Sequence, residues 1–167
     1  MKTALAPAAA FLAALAAPAH ADGYASPDHR AAADALTAFM NAIASDDKTL
    51  LARHMNPEGM IFIHNQMDPQ NPRVDIVPVA QHLERWASRT GDYEELMSYD
   101  VVEVSGDMAQ IWGPYSFRAN GRLTHCGVNS ISLVRDAEGV WKVGNTSFSM
   151  VPPEACAEVG AQWVDGE

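Results

Sequence analysis

The stretch ANGRLTHCGVNSISL, residues 119–133, decides how this chain reads. Asn120-Gly121 is the strongest hairpin signal in the sequence, because both residues tolerate the positive φ that a tight two-residue β-turn demands. With that turn, Ala119 pairs with Arg122, Ser116 lies opposite His125, and Trp112 lies opposite Asn129. Paired residues point to the same face of a sheet. One face is therefore expected to collect Trp112, His125, Asn129, Ile131 and Leu133, and the other Tyr115, Phe117, Cys126, Ser130 and Ser132. A second turn, DAEG (136–139), admits two registers. A three-residue loop with left-handed Gly139 sets Val143 beside Leu133 and keeps Trp141 and Val143 with the apolar set; the hydrophobic pattern selects it, because a one-residue slip turns a whole strand over. Asn145 and Ser147 then join the Ile131 face. The expected result is a sheet face that is apolar at one end and polar at the other, where His125, Asn129, Asn145 and Trp112 gather. Buried polar groups cost a few kcal/mol unless paired. Such a cluster is either a self-satisfied hydrogen-bond network or the lining of a ligand pocket.

Working outward, the chain opens MKTALAPAAAFLAALAAPAHADG. Lys2, the apolar run Leu5–Ala17 and the small-x-small site Ala19-His20-Ala21 read as a secretory signal peptide over residues 1–21, too short and Ala-rich to span a membrane. The expected location is the periplasm or the exterior. The remaining length suits one domain with a real core. A net charge of −10 argues against nucleic acid and anionic membrane surfaces as partners, both of which need a basic patch. Two cysteines, Cys126 and Cys156, are expected to form one disulfide in an exported chain. A catalytic thiol is the alternative, with no nucleophile signature around either residue to favour it.

From Asp28 the pattern is helical, with Ala32, Leu36, Phe39, Met40 and Ile43 at three- and four-residue spacing behind a Ser26-Pro27 start. A short helix bearing Leu50, Leu51 and His54 comes next and ends in NPEG. MIFIH (60–64) reads as a strand, NQMDPQNPRVDIVP (65–78) as a loop, and Val79–Ser88 as a third helix with Leu83 and Trp86 inward. Strands are expected near 94–104, 108–119, 123–135 and 140–150. Helices first and a strand meander after give an α+β domain: a curved antiparallel sheet with helices on its concave face.

The long helix broken at AIASDD, the short helix closing in HMNPEG before a strand, and the final DAEGVWKVGNTSFS strand resemble the nuclear transport factor 2-like superfamily, which includes ketosteroid isomerases, polyketide cyclases and limonene epoxide hydrolases. The WGPYSFRANGRLTHCGVNSISLV half looks most like its uncharacterised exported branch. The resemblance covers about residues 28–151 and implies a cone-like half-barrel with a pocket between sheet and helices, usually dimeric. The domain is expected over residues 22–151, and the tail, 152–167, is expected to be stapled to it by the Cys126–Cys156 bridge. It implies function poorly, because this fold hosts enzymes, binding modules and assembly domains alike.

His64 ends the first strand near the chain position where ketosteroid isomerases carry their proton-transferring aspartate. By alternation it shares a face with Met60 and Phe62, which would point into the cone. Histidine can move protons near neutral pH; the plainer reading is a strand-end histidine bonded to the next loop. The isomerase's tyrosine on the first helix has no counterpart, since Ala38 and Phe39 stand there. His64 and His125 are thus the candidate catalytic bases, and Trp112, Asn129, Asn145, Phe39 and Phe62 the candidate ligand-binding residues. No spaced His/Cys/carboxylate set suggests a metal, and no Gly-rich phosphate loop suggests a cofactor. Asp92, Glu94, Glu95, Asp100 and Glu103 read as a solvated acidic edge. Tyr115, Phe117 and Val128 are expected to form an apolar outer patch suited to dimerisation. The leading expectation is an exported protein that binds a small apolar or aromatic ligand. A cofactor-free isomerase, cyclase or hydrolase is the alternative, and a dimerisation domain without chemistry the third.

Overall fold

The computed structural model describes residues 24–161, so the expected leader (1–21) and the last six residues of the tail lie outside it. The chain opens with helix α1 (Pro27–Ala44), followed by a 3₁₀ helix (Lys48–Arg53), strands β1 (Met60–Asn65) and β2 (Arg73–Pro78), and helix α2 (Val79–Ala87). Strands β3 (Tyr93–Met97), β4 (Val101–Ser105), β5 (Met108–Ala119), β6 (Arg122–Arg135) and β7 (Trp141–Met150) then complete one sheet. α1 starts where its caps dictate: the Ser26 hydroxyl accepts from the His29 amide at 3.4 Å, and Pro27 occupies the first turn, where a missing N–H costs nothing. Its apolar stripe, including Ala32, Leu36, Phe39, Met40 and Ile43, is buried against the sheet, as the spacing predicts. Lys48 is also buried, and its ammonium donates to the Ser45 carbonyl at 2.6 Å, closing the end of α1.

The architecture is α+β, a curved sheet with helices packed on one face, in the strand order β2-β1-β7-β6-β5-β3, with β4 also on β5. Three details differ from the expected meander. The sheet is mixed, because β1 runs parallel to β7 while every other pair is antiparallel. The segment RVDIVP, expected in a loop, is the edge strand β2, with Val74 and Ile76 on one side and Asp75 and Val77 on the other; the Asn- and Pro-rich residues before it hide its alternation. The single strand expected over 94–104 is two strands, which pair with opposite halves of β5. The break falls at Gly113: a Cβ there would stand 1.8 Å from the Ser98 carbonyl oxygen. Only glycine lets the Ser98–Asp100 crossing lie on β5, where Ser98 and Asp100 donate their amides to Pro114 and Trp112.

On the opposite side of the sheet Cys126, Val151, Cys156 and Ala161 form a second, smaller core. The Cys126–Cys156 disulfide is formed and closes a loop of 30 residues, holding the tail on β6 beside the Cys126–Val151 bridge. In the chain-entropy description a loop of that length contributes roughly 3–4 kcal/mol. Replacing both cysteines by Ala is therefore expected to lower unfolding free energy by about that amount, read as a lower urea midpoint at unchanged slope. A shift below about 1 kcal/mol would place the tail's attachment in the small core instead.

Candidate functional site

Two β-bulges determine which side chains meet beneath the helices. The Asn120-Gly121 turn has the expected register, with Ala119 opposite Arg122 and Arg118 opposite Leu123. Thr124 is then an extra residue, so that Phe117, not Ser116, faces His125. The Thr124 hydroxyl donates to the Phe117 carbonyl at 3.1 Å and fastens the bulge. The second bulge, at Gly144, comes after the expected Leu133–Val143 pair, so Ser132 faces Asn145 and Ile131 faces Thr146. Each extra residue reverses the parity of the strand beyond it. The inward set becomes Tyr115, Phe117, His125, Asn129, Ile131, Thr146 and Phe148, all lining one cavity of about 330 Å³ between sheet and helices.

Helix α1 contributes Phe39 and Ile43 to this cavity, the following segment Leu51 and Met55, and β1 its inward residues Ile61 and Ile63. Helix α2 adds His82, Arg85 and Trp86, one helical face at i, i+3 and i+4, and Arg89 joins them from two residues past its end. Aromatic rings run in contact around the wall, His82–Trp86–Tyr93–Phe117–His125–Tyr115–Phe148, with centroids 5.0–6.1 Å apart. The size and largely apolar lining are those of a small-molecule site.

Into this wall Glu95 projects from β3. Tyr93, Glu95 and Met97 alternate onto the inner face, so a carboxylate lies among apolar groups. Asn129 Nδ2 donates to its Oε1 at 2.7 Å, and among the described residues no cation forms an ion pair with it. Burial pushes the Glu95 carboxyl up to about 7, the Asn129 bond offsetting only part of the effect. His125 lies two strands away on the same line, since Glu95 faces Phe117 and Phe117 faces His125, with the Phe117 and His125 rings stacked at 5.0 Å. Thr124 Oγ1 also lies 2.9 Å from His125 Nδ1. Its single proton is given to the Phe117 carbonyl, so it accepts from Nδ1–H and leaves Nε2 as the ring's lone-pair nitrogen. Burial holds the imidazole down to about 4, neutral at physiological pH. His82 is also held down to about 4, by burial first and then by the charges of Arg89 and Arg85. Among the described residues no three His, Cys, Asp or Glu side chains group as a metal-binding cluster.

No family model and no curated protein matches this chain by sequence. Solved structures match it in shape. A putative dehydratase of the NTF2-like family from Streptomyces avermitilis is 20% identical, with 74% of this chain and 96% of that chain covered at a TM-score of 0.58. A ketosteroid isomerase-like protein from Erwinia carotovora atroseptica is 15% identical, with 74% and 96% covered at 0.55. The beta subunit of a putative aromatic-ring-hydroxylating dioxygenase from Novosphingobium aromaticivorans is 12% identical, with 74% and 89% covered at 0.59. The fold is nuclear transport factor 2-like. At these identities the likeness carries the fold alone.

In this nuclear transport factor 2-like cone, His125, Asn129 and Phe39 line the cavity as expected from sequence. The other four do not. His64 is exposed on the outer face, with Nε2 2.9 Å from Ser147 Oγ. Phe62 and Asn145 lie on a shallow outer groove, where Asn145 Oδ1 accepts from the Met60 amide at 2.8 Å. Trp112 is 48% exposed. Their reasons are physical: MIFIH is apolar on both faces and gives no parity, while the two bulges turn Trp112 and Asn145 outward. The same reversal empties the expected outer patch, since Tyr115 is buried and Phe117 lines the cavity. Glu95 is the residue that sequence reasoning missed. Its signal is the alternation with Tyr93 and Met97, which sets it apart from Glu94 and Asp92.

A carboxyl raised in the folded state binds a proton that the unfolded chain has already released. Its contribution is fully present below the unfolded value of 4.5 and is lost as pH rises through about 7. Glu95→Gln removes this dependence, and Asn129 can turn its amide to pair with the new side chain. The variant is expected to match the native protein near pH 4 and to exceed it near pH 8 by on the order of 2–3 kcal/mol, measured by urea unfolding at each pH. Equal differences at both pH values would mean that Glu95 is solvated and ordinary.

Proposed function

We propose that this protein is an exported, cofactor-free enzyme that holds a small, largely apolar ligand in the cone and moves a proton on it with Glu95. One observation carries the reading: a carboxyl paired with an amide rather than a cation, in an apolar cavity, and poised near neutrality. Such a group exchanges its proton readily at physiological pH, which general acid–base catalysis requires and a structural ion pair does not. Asn129 orients the carboxyl. The Nε2 lone pair of neutral His125 accepts a hydrogen bond from a ligand hydroxyl or from a water, and the aromatic wall excludes bulk solvent from the transfer. Abstraction of a proton beside a carbonyl, or its reverse, is the reaction class these groups fit. The disulfide is compatible with export, in keeping with the leader read at residues 1–21.

Tetralone, a bicyclic ketone with acidic C–H bonds, serves as a probe. Hydrogen–deuterium exchange beside its carbonyl, followed by NMR in D₂O, is expected to be accelerated by the native protein, to rise through pH 7, and to fall about a hundredfold or more in Glu95→Gln while ligand binding persists. Binding with no difference in exchange between native and variant would leave a binding protein without this chemistry.

We also propose a homodimer through the outer sheet face. There Trp112 pairs with Val101 and Met108 with Val134, all four being exposed apolar side chains between 38% and 59% accessible. Light scattering is expected to give twice the chain mass for the native protein and the chain mass for Trp112→Glu. A native monomer at micromolar concentration ends this part of the proposal.

A further inference from the structure

The cavity has a polar rim of one sign. Arg85, in the last turn of α2, and Arg89, two residues past its end, line it and are exposed there. Their like charges stand side by side at the cavity mouth, and neither forms an ion pair among the described residues. The chain has 21 acidic and 11 Lys or Arg residues, so carboxylates to pair with are plentiful. The Arg89 guanidinium instead lies over the rings of Trp86 and Tyr93, at 5.2 and 5.6 Å from their centroids. That stacking holds it in place while leaving its N–H fork free for a planar acceptor. The field of the pair is felt within the cavity, since both arginines contribute to keeping His82 unprotonated. The neighbouring lining is apolar and aromatic.

We propose that the ligand is an amphiphilic anion: a compact ring-containing body in the cavity, with a carboxylate or similar oxyanion held at the rim by Arg85 and Arg89. The net negative charge of the chain repels anions at distance, so recognition must come from this local pair. Two guanidinium groups offer bidentate geometry to an oxyanion, and their position fixes which end of the ligand stays outward. The inner end then lies toward Glu95 and Asn129. The inference rests on the cavity being the ligand site of the proposed function, but not on the proton transfer assigned to Glu95.

The test compares naphthoate with its uncharged methyl ester, which share a ring body, by calorimetry at low and high salt. Naphthoate is expected to bind about tenfold more tightly than the ester at low salt, and the advantage to shrink as salt screens it. In the Arg85→Gln/Arg89→Gln double variant the ester should still bind, which reports that the cavity is intact, and the advantage of naphthoate over it should disappear. Equal binding of acid and ester by the native protein overturns the anion assignment and leaves the cavity reading standing. So does an advantage that survives in the double variant. Failure of both probes to bind at millimolar concentration removes the anion assignment together with the ligand site on which it rests.

Discussion

The hydroxyl of Thr124 holds one residue out of the β5–β6 ladder, and the interior depends on that displacement. Without it, the tight turn at Asn120-Gly121 would send Tyr115 and Phe117 outward and bring Trp112 under the helices. With it, two aromatic rings of β5 join His125 and Asn129 of β6 on one face. The same hydroxyl accepts from the His125 ring and so sets its tautomer. Gly144 performs the matching displacement in β7, where Val143 is gripped by the backbone of His54 and Asn56 and the next residues turn over to bring Thr146 and Phe148 inward. A bulge costs one ladder pairing and gains a change of face; here two of them build the cavity wall.

Within that wall a conflict is stored. Glu95 loses solvation and recovers a single amide hydrogen bond. A charged carboxylate in such a place costs several kcal/mol, which the group avoids by keeping its proton to near neutrality. The remainder is offset by apolar burial around it: α1 packs Leu36, Phe39 and Ile43 on the sheet, and the disulfide fastens the far side. Local frustration within a consistent frame is what functional sites commonly show. The two rim arginines, without a carboxylate partner among the described residues, are a second instance.

Much of this is legible in the chain. The spacing of Leu36, Phe39 and Met40, the Ser26-Pro27 start, the two turns, the pairing of Leu133 with Val143 and the Cys126–Cys156 bridge all come from local rules or from counting. Parity within single elements is enough to place His125, Asn129 and Phe39 in the cavity. It misplaces His64, Phe62, Trp112 and Asn145, because their faces depend on relations between elements. In β1 the run Met60–Ile63 is apolar on both sides, so nothing in it selects a face. For Trp112 and Asn145 the count has to cross a bulge. Glu95 is hidden among other carboxylates, although its alternation with Tyr93 and Met97 marks it.

The sequence by itself determined the class of fold, the inward stripe of the first helix, the two turns and the disulfide. These depend on periodicity, capping and backbone preference, which act over a few residues, or on the small number of ways two cysteines can pair. Only the tertiary structure decided which side chains share the cavity, that a glutamate there pairs with an asparagine rather than with a cation, and that two arginines stand at its edge with no carboxylate beside them among the described residues. Strand parity is a global count: one extra residue, fixed by a single hydroxyl on a neighbouring carbonyl, reverses every assignment beyond it.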